Sequence, residues 1–197
     1  MHADGNAAAI GQGTRKKEHI MKIGTSLIAF GLAVALGQAT AKAQSAAGLN
    51  DLQIAHVAYV ADNIDIRYAH LALALSSDPG IREFAQTMIR DHSAVNEQAL
   101  ALLQKLKAEP QDNFLSQSLQ ENADKVIDQL SQLRGAAFDK AYAANELAYH
   151  KAVIELVELT FIPNIDNGEV KDLFAAGLNI FKAHEDHAEM LVAKANS

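Results

Sequence analysis

The chain has 197 residues, with 17 Lys and Arg against 24 Asp and Glu and a net charge of −7. It contains no cysteine, which excludes disulfides, thiolate catalysis, cysteine-ligated zinc and a lipoprotein anchor. Nearly half of the residues are hydrophobic and 21% are charged, the balance of a globular chain rather than a disordered or fibrous one.

The first segment reads as an export leader. "MKIGTSLIAFGLAVALGQATAKAQS", from Met21 to Ser45, places Lys22 before an apolar run from Leu27 to Leu36 and ends in Ala41-Lys42-Ala43. That order of basic start, apolar stretch and small-x-small site predicts cleavage after Ala43, with residues 1–20 an upstream extension. The run of about ten residues is half of the roughly twenty needed to cross a bilayer. Removing 1–43 takes away five of the 17 basic and two of the 24 acidic residues, leaving 12 against 22 and a net charge of −10. Such a chain is expected to be periplasmic or envelope-associated, without a stable membrane span and without nucleic-acid binding. Residues 44–197 are long enough for one domain with a proper core.

The rest parses into helices in chain order. Period-3.6 apolar spacing predicts a helix over 50–76, with Ile54, Val57, Ala61, Ile64, Tyr68, Leu71 and Leu75 inward. Asp78 and Pro79 then offer an N-cap and a first helical position for a helix over 79–108, which Pro110 ends. A shorter helix over 113–132 closes at Gly135. Long helices over 135–161, stopped by Pro163, and over 168–195 complete the set. No segment alternates with period two long enough for a strand. Tight connections make the first two long helices, and the last two, antiparallel hairpins. The expected fold is all-α: a ferritin-like four-helix bundle with the 113–132 segment as crossover.

Ionisable side chains fall on the inward stripes. Asp65 adjoins the Ile64/Tyr68 stripe, and His92 lies between Met88 and Val95 with Asp91 at its edge. Glu146 and His150 share a side at i, i+4 spacing, and "FKAHEDHAEM" puts His184 and His187 on a stripe with Leu191. At 1.5 Å per residue, counting from the hairpin turns puts these groups at about one depth. Carboxylates and imidazoles converging from four helices suit one transition-metal ion, whether iron, zinc, copper or manganese, held by Asp65, His92, Glu146, His150, His184 and His187. Asp91 and Tyr142 would support them from behind, Asp91 as acceptor for the second imidazole nitrogen. The same groups equally form a metal-free acid–histidine–tyrosine network that only fixes packing. His56 and His70 lie on another face of the first helix. The His56/Tyr59/Ile66/Leu73 side offers a partner surface, most simply for a homodimer. No nucleophile elbow and no glycine-rich phosphate loop occurs, so the sequence assigns no catalytic residue.

Three segments, "IREFAQTMIRDHSAVNEQALALLQK", "LRGAAFDKAYAANELAYHKAV" and "VKDLFAAGLNIFKAHEDHAEML", resemble the exported bacterial family catalogued as domain of unknown function 4142. Its pattern falls on Asp65, Asp91 and His92, Gly135, Phe138, Asp139 and Tyr142, His150, and His184. The resemblance implies a ferritin-like bundle over about 50–195 and brings no assured activity. The first-helix acid is here the shorter Asp65, Tyr149 stands where an acid commonly precedes the third-helix histidine, and Glu146 and His187 are additions. No Glu-x-x-His occurs, so a diiron ferroxidase or storage cage is not expected. Two functions stay open: a periplasmic metal-binding bundle, and a metal-free structural or stress-related envelope protein. A chelator separates them, lowering the melting temperature only in the first case.

Overall fold

The computed structural model describes residues 45–196; the leader and its cleavage position lie outside the described residues. A 3-10 turn, Ala46–Gly48, leads into α1, Asp51–Leu75. Asn50 fixes that start with a capping box, accepting from Leu52 and Gln53 N–H while the Gln53 side chain accepts from Asn50 N–H. α2, Pro79–Leu106, is capped by Asp78, which accepts from Gly80 and Ile81 N–H at 2.8 and 3.0 Å. It ends before Pro110 because Lys107 turns to left-handed backbone, φ 52°, and Ala108 N–H reaches back to the Leu103 carbonyl. α3, Phe114–Ser131, has a second capping box on Asn113 and Ser116. α4 is Gly135–Leu156 and α5 is Gly168–Ala195.

Two local expectations are corrected. Gly135 does not close α3; with φ +54° it opens α4, after Arg134 as N-cap. The helix expected over 135–161 is not α-helical throughout. Val157–Phe161 is a π turn in which Ile162 N–H bonds the Val157 carbonyl, five residues back, and Ile162–Asn164 adds one more turn. Pro163 brings no N–H to the carbonyl four residues before it, and its ring crowds that carbonyl. The wider turn lets the chain carry the proline without stopping.

α1 packs chiefly on α2, and α4 on α5, while α2 also meets α5 and α1 meets α4. The three residues between α1 and α2 make that pair antiparallel. α3 runs alongside α1 in the same direction, shown by His56–Asp112 at 3.5 Å and Arg67–Asp124 at 2.6 Å. It thereby returns the chain to the far end, where Ser76 Oγ donates to Asp139 at 2.5 Å and α4 starts back. Asp51 accepts from Asp166 and Asn167 N–H before α5, and Lys194 at the end of α5 reaches Asp78 at 3.1 Å. The His56 side of α1, read as a partner face, is thus partly occupied: α3 lies along it, and Leu73 packs on the core.

The core is divided. One cluster gathers Ile64, Tyr68, Phe84, Met88, Leu130, Phe138 and Tyr142, and the other Ile54, Val57, Ile154, Phe161, Phe174 and Phe181. Along α1, α2, α4 and α5, buried polar side chains sit where one cluster gives way to the other. Among the described residues no helix is long and apolar enough to cross a membrane.

Candidate metal centre

Four helices bring buried ionisable groups into this layer. α1 supplies Asp62 and Asp65, three residues apart, at 3% and 0% exposure. α2 supplies His92, α4 supplies Glu146 and His150 one turn apart, and α5 supplies His184; each is buried. The imidazoles of His92, His150 and His184 form a triangle with ring centroids 5.2 to 5.8 Å apart. One donor atom from each lies within 4.8 Å of the others, and the same holds for Asp65, Glu146 and His150.

Each imidazole is anchored through one nitrogen. His92 Nδ1 pairs with Asp62 Oδ1 at 2.6 Å, His150 Nδ1 donates to the Glu146 carbonyl at 2.9 Å, and His184 Nε2 pairs with Asp91 Oδ2 at 3.0 Å. The other nitrogen of each, His92 Nε2, His150 Nε2 and His184 Nδ1, is buried without a hydrogen-bond partner. So are both oxygens of Asp65 and of Glu146. Asp65 Oδ2 stands 3.3 Å from His92 Nε2 and 3.4 Å from His150 Nε2. An imidazole that donates through one nitrogen presents a lone pair on the other. At His150 that lone pair faces a carboxylate oxygen, an arrangement that is costly until a cation stands between them.

Electrostatics sorts the groups. Burial alone would raise the Asp65 carboxyl, but the His92 charge beside it is the largest of the opposing pulls and holds Asp65 below the usual carboxylate range. Burial would likewise depress His92, yet Asp65 and Asp62 push it up to about 10. Burial pushes Asp62 up against the opposing pull of its hydrogen bond and charge contact with His92. Burial keeps His150 low and brings His184 down to about 4 despite its bond to Asp91. Glu146 is driven well above the carboxylate range by burial and by Asp65. At neutral pH Asp65 is therefore charged and His150 and His184 are neutral, while the charged form of Glu146 is disfavoured.

The structure brings Asp65, His92, Glu146, His150 and His184 together but not His187. That ring is half-buried, packed edge-on against Phe84 at 5.0 Å and outside both groups of donors. Asp91 supports His184, not His92. The acceptor behind His92 is Asp62, which the α1 stripe left out. The Tyr142 hydroxyl faces the Glu146 carboxyl, and its ring stacks on Phe138 at 5.9 Å. Tyr149 on α4 ties back to α1 by donating to the Ala61 carbonyl at 2.9 Å.

A family model described as Domain of unknown function (DUF4142) matches residues 36–191. The chain belongs to that family. Every residue of the polar layer in this DUF4142 protein, from Asp62 to His184, lies inside the matched span. No curated protein and no solved structure matches the chain.

Proposed function

We propose that this DUF4142 protein is an exported, ferritin-like four-helix bundle that holds one transition-metal ion between its helices. His92, His150 and His184 are the nitrogen ligands, and Asp65 is the carboxylate. The observation that carries the reading is the division of labour at His150 and His184, one nitrogen tied to an acceptor and the other bare and buried, with His92 Nε2 and His150 Nε2 both facing Asp65 Oδ2 at 3.3 and 3.4 Å. Backing by Asp62, the Glu146 carbonyl and Asp91 is the support that metal-bound imidazoles use. Nitrogen ligands about 2.1 Å from an ion stand about 3.4 Å apart in a tetrahedral site, so small rotations would close the triangle. A divalent ion that displaced the His92 Nε2 proton would be balanced by Asp65 and Asp62. Imidazole and carboxylate donors suit zinc, iron, copper or manganese. Glu146, grouped with Asp65 and His150, stands ready as a further oxygen ligand.

The second reading, a metal-free envelope protein with a structural polar network, draws on one observation. His92 already sits between two carboxylates, at 2.6 and 3.3 Å, and so forms a satisfied ion pair by itself. Against it stand the unpartnered nitrogens of His150 and His184 and the oxygens of Glu146, which a purely structural network would have satisfied.

Elemental analysis of the protein exported through its own leader and purified without a metal-affinity tag decides between them. About one equivalent of a single transition metal, lost in a His92→Ala, His184→Ala double variant, supports the centre. Chelation should then lower the melting temperature, and ion at about a thousandfold over Kd should restore about 4 kcal/mol. A wild type that is metal-free and indifferent to added zinc, copper, iron and manganese leaves the structural reading.

A further inference from the structure

On the α1-start side of the polar layer, the second hydrophobic cluster is not filled. A partly open apolar pocket of about 80 Å³ runs among α1, α2, α4 and α5, with Leu119 of α3 at its side. Small side chains on three helices open it, among them Ala58, Ala99 and Ala152, and Gly177 opens it from α5. The π turn contributes Val157 and Phe161 to its wall. Turns of this kind are frequent where a helix shapes a binding site.

Two features distinguish the cavity from a casual packing defect. It could be closed at little cost, because a Cβ on Gly177 would meet nothing nearer than the Phe181 ring at 4.0 Å. A mid-helix glycine that has room for alanine weakens its helix and leaves a hole as well. The wall is also almost wholly apolar: Asp62 Oδ1 is bonded to His92 and the Tyr149 hydroxyl to the Ala61 carbonyl, which leaves the Tyr59 hydroxyl among the few polar groups that line it. Water needs two to four polar partners, so an apolar cavity stays dry and takes apolar guests; an engineered one of about 150 Å³ holds benzene or xenon. The space here is about half of that.

We propose that this chamber binds one small, uncharged, apolar molecule of a few heavy atoms, seated against Phe181. Phe181 in turn stacks on the His92 ring at 5.2 Å and 18°, so the guest would lie one aromatic ring away from the polar layer. The inference does not rest on the ion, since guest binding and metal content are separate readouts.

The test uses the full chain as purified, with methyl NMR under xenon pressure. Saturable shifts confined to the methyls of Val57, Leu102, Val157 and Val170, lost in Gly177→Leu, are expected. If that variant fails to fold, Ala99→Leu fills the chamber from the opposite wall and should remove the shifts equally. Wild-type shifts that do not saturate, shifts that survive in a folded filled variant, or ordered water in the chamber would overturn the proposal.

Discussion

His92 sits between two carboxylates, and each does something different to it. Asp62 orients the ring through Nδ1 and Asp65 confronts Nε2, which predicts unequal phenotypes. Asp62→Ala removes the acceptor behind a ligand and should weaken metal affinity by roughly 10- to 100-fold, read by competition with a chromophoric chelator. Asp65→Asn leaves the buried charge of His92 short of its balancing anion and should destabilise the metal-free protein by about 3 kcal/mol in urea unfolding. Glu146→Gln replaces a carboxyl whose charged form is disfavoured by burial and by Asp65 with a neutral isostere. Its stability should stay within about 1 kcal/mol of wild type in the same assay. A result in which Glu146→Gln costs as much as Asp65→Asn would show that Glu146 carries charge in the folded protein.

At the scale of the element, the helices were legible from their apolar spacing, their prolines and the Asp78 cap, and the structure adds caps that the sequence reading did not name. Asn50, Asp78, Asn113 and Asn167 cap the starts of α1, α2, α3 and α5. What escaped the sequence needed knowledge of neighbours. α1 packs against α2, α3 and α4 at once, so its buried arc is wider than one stripe and takes in Val60, Asp62 and Asp65. A single-stripe reading therefore passed over Asp62. The π turn was hidden because Pro163 signals an end to helical bonding, whereas the chain widened by one residue and continued. The two helical glycines with structural consequences should respond in opposite directions. Gly135→Ala meets open space but a left-handed backbone, and should cost about 1 kcal/mol. Gly177→Ala has both room and a helical backbone, and should gain about 1 kcal/mol. Thermal unfolding of the pair side by side checks both signs.

Across the whole molecule, Asp78 joins the α1–α2 turn to the far end of the chain, capping α2 while meeting Lys194 of α5. The Ile81 N–H, Lys194 and the Gly80 N–H hold its carboxyl below its ordinary 3.8. The unfolded chain thus takes up that proton first, and the stability Asp78 contributes is complete above about pH 4 and lost as pH falls through the depressed folded value. Urea midpoints of wild type and Asp78→Ala should differ by about 1 kcal/mol at pH 7, and the gap should narrow below pH 4. A gap that stays constant into strong acid would place the effect of Asp78 outside its charge.

The division of the core by one polar layer has a consequence for when an ion enters. The side chains at residues 65, 92, 150 and 184 stand on four separate helices, so no two of the proposed ligands belong to one local motif. A single closed hairpin brings together only two of the four, Asp65 with His92 or His150 with His184. The full proposed set is complete only once both hairpins have closed, so an ion held by all four would be taken from the medium in which that closing happens. For a chain that folds after export, the metal in the centre would record the supply outside the cytoplasm, whatever the intrinsic order of affinities.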